Sequence, residues 1–256
     1  SRFYVARLAR IYPSYLFVYL AALPWLGLNL PHDWVRWVFI NVTSVLGLQA
    51  WFPHAFVGVN GGLWSLSCEF FFYALFPAML PLALRLSERA AFSRAVTYLV
   101  LLIGFLGLAD FAFAREGTFP LYYILPALRL PEFFLGMVLG VALRQRPAAP
   151  PVSGLLPCLA VVAVVLVCMN PVYTIGLWVR ANIVVVPALA WLIYAAGRYE
   201  LTHPDATRTG VGWRLFRYLG ESSYCLFVAQ LPLLAWFDAA RPAAFAQWVA
   251  ASPMLA

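Results

Sequence analysis

The chain has no lysine at all, and charged residues make up only 11% of its 256 positions. Water-soluble folds carry about twice that share, so an ordinary soluble domain is excluded at the outset. Histidine is nearly absent too, with only His32, His54 and His203. All three sit in expected loops between apolar runs, where a lone histidine is more often solvated surface than a base. No Ser-His-Asp arrangement, Walker loop or G-x-G-x-x-G occurs, so the usual signatures of soluble hydrolases and nucleotide-binding enzymes are missing. The four cysteines, Cys68, Cys158, Cys168 and Cys225, lie in apolar surroundings without C-x-x-C spacing. They read as small hydrophobes, and no metal site is expected. The net charge of +7 comes from arginines scattered among the loops, which argues against a nucleic-acid partner, since such binding needs one gathered basic face. No signal peptide precedes the first basic residues, and the abrupt start reads as a piece of a longer protein.

What is abundant is oil. Hydrophobic residues make up 64% of the chain and mean hydropathy is +0.84. A membrane span needs about 20 apolar residues to cross roughly 30 Å of hydrocarbon, and that template fits repeatedly between Ile11 and Asp238. Long continuous runs without alternation select helices over a barrel. The expectation is an all-α polytopic bundle of about eight spans forming a single membrane-embedded domain over 1–256, incomplete at both ends. The spans centre near 11–30, 35–52, 62–84, 95–114, 120–143, 153–170, 178–197 and 214–237. Pro126 and Pro131 should kink or split the fifth. Arg144 to Gly154 reads as a proline-rich connector, and Gly197 to Arg214 as the longest polar loop. Single crossings throughout would put the Arg2/Arg7/Arg10 cluster and the Arg85–Arg94 loop on opposite sides, against the positive-inside rule. One segment is therefore expected to be re-entrant, either a half-span between Leu30 and Gly62 or the proline-broken fifth helix.

Against this background the polar residues inside apolar runs stand out. "GGLWSLSCEFFFY", Gly61 to Tyr73, places Glu69 within a span. At helical spacing Ser65, Glu69, Tyr73 and Phe76 share one face with Trp64 beside them, while Leu66, Phe70 and Ala74 lie elsewhere around the helix. An intramembrane carboxylate is expensive to insert, so it is either paired with another group or functional. "SRFYVARLARIYPSY" carries Arg7 and Arg10 at i and i+3. Their planar guanidinium forks suit a pyrophosphate or phosphate ester, while the plainer reading is a snorkelling anchor. Pro13 is tolerated if it falls in the first turn of the helix that follows. "LRLPEFFLGMVLG" sets Arg129 three residues before Glu132, as a helix-cap ion pair or with Arg129 reaching Glu69. It then gives Gly136-x-x-x-Gly140, read as a close helix crossing. Asp110 and Arg180 read as boundary or pairing residues.

Three of these stretches together resemble the acyltransferase 3 family of bacterial integral-membrane O-acyltransferases. They are "RLARIYPSY" from Arg7 to Tyr15, "LWSLSCEFFFYALFP" from Leu63 to Pro77, and "LGESSYCLFVAQLP" from Leu219 to Pro232, with a weaker match in "RLPEFFLG". The resemblance implies transfer of an acyl group, often acetyl, from acyl-CoA as donor substrate to a hydroxyl of a cell-surface or lipid-linked carbohydrate. It implies a multi-pass protein of the bacterial inner membrane, in contact with membrane lipid and with no bound cofactor. Arg7 and Arg10 would bind the donor, Glu69 would support catalysis, and Trp64, Ser65, Tyr73, Arg129 and Tyr224 would line the site. The family's catalytic histidine lies in a helix upstream of the arginine motif, within the first two of about ten spans. Read so, the general base belongs to a segment preceding Ser1, and this stretch alone would be inactive. Where many relatives carry a histidine in the late motif, this chain has Gln230. Two other classes fit the composition: a transporter or flippase whose polar pathway is lined by Glu69 and Arg129, and a non-catalytic polytopic scaffold.

Overall fold

The computed structural model describes residues 2–26, 33–52, 55, 63–113, 124–145, 159, 185–202 and 211–240. Among these, seven α-helices and one 3-10 turn appear and no strand, in keeping with the all-α expectation. The helices are α1 (Arg2–Leu26), α2 (Trp34–Val45), α3 (Trp64–Leu86), α4 (Arg89–Phe113), α5 (Pro126–Gln145), α6 (Val186–Thr202) and α7 (Val211–Ala240), with the 3-10 turn at Gln49–Trp51. Two of them, α3 and α5, are long and apolar enough to cross a membrane. Among the described residues the expected count of about eight spans is thus not confirmed, and the sixth expected span, 153–170, lies outside them apart from position 159. The outer surface is oily: Phe17, Trp34 and Phe105 are among many exposed large apolar side chains. Such a surface suits acyl chains better than water.

Several boundaries differ from the periodicity for local reasons. Helix α1 begins at Arg2, so Arg7 and Arg10 ride on the helix itself, and Pro13 falls in its interior instead of in a first turn. That proline removes the N–H that would meet the Ala9 carbonyl, a cost the surrounding packing absorbs. Asp33 caps α2 by accepting from the Val35 N–H at 2.9 Å and the Arg36 N–H at 3.4 Å. Helix α2 then stops after 12 residues, a rise of about 18 Å that cannot cross roughly 30 Å of hydrocarbon. Its end is a Schellman turn: the Gly47 N–H meets the Ser44 carbonyl at 2.9 Å and the Leu48 N–H meets the Thr43 carbonyl at 2.7 Å. Gly47 takes φ 67°, and a Cβ there would lie 2.2 Å from the Phe70 ring, so both the backbone and the packing require glycine.

The fifth span breaks where proline chemistry says it should. Leu125 is non-helical and Pro126 opens α5 as its first residue, where the missing N–H costs nothing, while Pro131 is carried inside the helix. The polar loop expected from Gly197 is helical through Thr202, which buries Arg198 at 1% exposure, and a Cβ on Gly197 would come within 2.7 Å of Leu143. The close approach thus occurs at Gly197. Gly136 and Gly140, expected at a crossing, are exposed and have no atom within 4 Å of a built Cβ among the described residues.

Helix α3 sits between two groups of elements. On one side Leu63 and Leu66 pack with Ile11, Tyr15 and Val18 of α1 and Val228 of α7. On the other, Ala83 of α3 packs with Phe134, Met137 and Val138 of α5. Helix α5 also meets α4 and α6 through Leu135, Leu139 and Ile103.

Candidate acyl-transfer site

The site is built where α1, α3 and α7 meet. Helix α1 is fastened to the end of α2 by a ladder of tyrosines one or two turns apart. The Tyr12 hydroxyl donates to the Val45 carbonyl at 3.1 Å, Tyr15 donates to the Ser44 carbonyl, and Tyr19 donates to Asn41 Oδ1. From α7 the Tyr224 hydroxyl donates to the Ile11 carbonyl at 3.2 Å, across 213 positions of sequence. Phe70, Tyr73 and Tyr224 all pack against the cluster formed by Ile11, Tyr15, Leu66 and Val228. The arginine, tryptophan and late serine-tyrosine stretches, far apart in sequence, therefore form one centre.

Glu69 is the sixth residue of α3, about 7.5 Å along the helix from Trp64, and half-buried. The positive charges that act on it are those of Arg10 and Arg7. Among the described residues it makes no ion pair within 4 Å. Arg7 is half-buried and Arg10 exposed. The Arg7 guanidinium carbon stands 5.6 Å from the Phe3 ring centroid and 5.4 Å from that of Tyr73. Beside them opens a cleft of about 330 Å³ whose walls include Tyr4, Arg7, Tyr12, Leu46, Phe70 and Tyr73. It is apolar except for one cation and the tyrosine hydroxyls, so it can take an amphiphile bearing an anionic group.

The structure brings some of the expected site residues together and separates others. Arg7 stands over the Tyr73 ring, its charge and that of Arg10 act on Glu69, and Tyr73 and Tyr224 pack against one cluster. Leu66 and Phe70 belong to the same α1-facing side as Glu69 and Tyr73, and Ala74 lines the cleft, so this face of α3 is broader than the polar stripe alone. Trp64 and Arg129 form a neighbouring centre. Arg129, 8% exposed, pairs with Glu132 on its own helix and stands 5.9 Å from the Trp64 ring centroid. This bears out the local ion pair and corrects the alternative link to Glu69, because a carboxylate one turn away on the same helix is the nearer partner. The two centres still feel each other, since the charges of Arg129, Glu132 and Glu69 all act on the buried Cys68 between them. Ser65 is half-buried at the start of α3, and Gln230 is exposed on α7. His32, His54, His203 and Arg180 lie outside the described residues, as do Cys158 and Cys168; Asp110 lies on the last turn of α4. Among the described residues no group of three or more His, Cys, Asp or Glu could hold a metal ion.

Two contributors were not picked out by the sequence reading. Gln49, 4% exposed, donates from Nε2 to the Leu63 carbonyl at 2.8 Å and so pins the residue that precedes α3. The Tyr12/Tyr15/Tyr19 ladder was visible only as its i, i+3, i+7 spacing on a helix, a pattern that membrane-span aromatics also produce.

A profile of the acyltransferase 3 family, described as an acyltransferase domain, matches residues 1–255. The acyltransferase MdmB of Streptomyces mycarofaciens is 30% identical across 92% of this chain, which spans 62% of that relative's length. No solved structure matches. With its three motif stretches gathered into one centre and a family match running along nearly the whole sequence, the chain belongs to the acyltransferase 3 family.

Proposed function

We propose that the full protein is a multi-pass enzyme of the bacterial inner membrane that transfers an acyl group, acetyl first, from acyl-CoA to a hydroxyl of a cell-surface or lipid-linked carbohydrate. The observation that carries this reading is the meeting of Arg7, Glu69, Tyr73 and Tyr224 from three helices beside a cleft with one cationic wall. Family membership and the likeness to an enzyme named as an acyltransferase support it.

In this reading the acceptor oxygen attacks the thioester carbonyl, a C–O bond forms, the C–S bond breaks, and the thiol of CoA leaves with the proton. Arg7 and Arg10 hold donor phosphates through charge-assisted hydrogen bonds. Glu69, in the field of both arginines, orients the acceptor hydroxyl or its base instead of taking the proton itself. The base is a histidine supplied by the full protein outside the described residues. A transporter pathway lined by Glu69 and Arg129 is less well supported, because Arg129 is engaged with Glu132 and Trp64 on a different face of α3.

The test is incubation of membranes carrying the full chain with acetyl-labelled acetyl-CoA. Label is expected in an ester that mild alkali releases from the glycan or glycolipid fraction. Acetyl-CoA left intact, with no protein-dependent alkali-labile label, would overturn the proposal.

A further inference from the structure

The two arginines of the motif differ in a way their spacing does not reveal. Arg7 lies between two aromatic rings from two helices: Phe3, one turn back on α1, at 5.6 Å, and Tyr73 of α3 at 5.4 Å. The rings stand nearly perpendicular, at 89° with centroids 6.3 Å apart, so they restrict the guanidinium from two directions. Phe3 is itself backed by Phe76, stacked at 5.1 Å and 15°. The Tyr4 hydroxyl donates to the Ala74 carbonyl at 3.4 Å, tying this end of α1 to α3. Arg10, one turn further on, is exposed, and no ring lies over it among the described residues.

An arginine that grips an anion ordinarily gives up much rotamer freedom on binding. Arg7 has already given much of it up: the two rings stabilise the cation and the Tyr73 hydroxyl engages one of its donors, while a guanidinium has five N–H groups, so others remain for an anion at the wall of the cleft. We infer that Phe3 and Tyr73 are positioning residues, an aromatic clamp that presents the Arg7 fork to a phosphate of the donor while Arg10 serves as an adaptable second contact. The inference rests on the donor-site reading proposed above.

Equilibrium binding of labelled acetyl-CoA to the detergent-solubilised full chain tests it, on variants that elute in size-exclusion chromatography as the parent does. Phe3→Leu and Tyr73→Leu should each weaken binding about tenfold. Tyr73→Phe, which keeps the ring, should stay within about twofold. Arg7→Lys should lose as much as Arg7→Ala, since an ammonium lacks the planar fork. Turnover at saturating donor should be retained in Phe3→Leu, so that its loss is one of KM and not of kcat. If both leucine variants bind as the parent does while Arg7→Ala loses binding, the clamp is wrong and the donor site stands. Equal losses in Tyr73→Phe and Tyr73→Leu would also overturn the clamp, by assigning the effect to the hydroxyl. If Arg7→Ala binds as the parent does, the donor-site reading itself fails.

Discussion

Glu69 and Arg7 show how a membrane interior gives a charge its meaning. A carboxylate at this depth is costly, and the positive charges that act on it are two guanidiniums on a neighbouring helix, with no ion pair within 4 Å among the described residues. A carboxylate held in a field without a tight partner is free to hydrogen-bond to a substrate. Glu69→Gln keeps the shape and removes the charge, so kcat should fall about a hundredfold with KM for acetyl-CoA little changed. Arg7→Ala should do the reverse, raising KM for acetyl-CoA about tenfold or more with kcat largely kept. Steady-state kinetics of the full chain in detergent checks both, and equal kinetics in parent and variants would contradict the roles. At this scale the sequence was informative about which residues matter and poor at saying which meet. Glu69 was legible because helical spacing exposes a carboxylate in oil. The Arg129–Glu132 pair was legible from its i, i+3 spacing on one helix, whereas the nearness of Glu69 to Arg7 and Arg10 depends on which helix docks against which face, and pairing across long sequence separations is not encoded in local pattern.

The elements follow local chemistry where punctuation is strong and departs from it where packing takes over. Pro126 opens α5 as a first-turn proline, whereas Pro13, Pro77, Pro81 and Pro131 stay inside helices that tertiary contacts hold together. Pro77 sits four residues after Tyr73, so the N–H that would meet the Tyr73 carbonyl is absent beside the Arg7 clamp. Apolar periodicity carried the second span to residue 52, but α2 ends at Val45 because Gly47 makes a left-handed turn whose closing bonds compete with the next helical turn. Gly47→Ala forces a Cβ onto the Phe70 ring and strains φ 67°, and should cost about 1–3 kcal/mol, read as a thermal midpoint several degrees lower in detergent. Adding Phe70→Leu should recover the steric part and leave the backbone part. A midpoint unchanged by Gly47→Ala would show that the turn does not hold α2 against α3.

At the scale of the molecule, 64% hydrophobic residues pointed to an oily exterior, and the long apolar runs without alternation pointed to an all-α fold. It was not enough to count spans: among the described residues α3 and α5 meet the length and hydropathy of a full crossing, and α2 is about half as long as one. What this chain provides is a three-helix centre in which segments 213 positions apart are joined at Ile11 and Tyr224. That convergence is the central claim, and a photoreactive acyl-CoA analogue tests it most directly. After irradiation of the full chain and peptide mapping, label that excess acetyl-CoA displaces should fall on α1, the first half of α3 and α7. Displaceable label confined to α4, α5 and α6 would contradict the account.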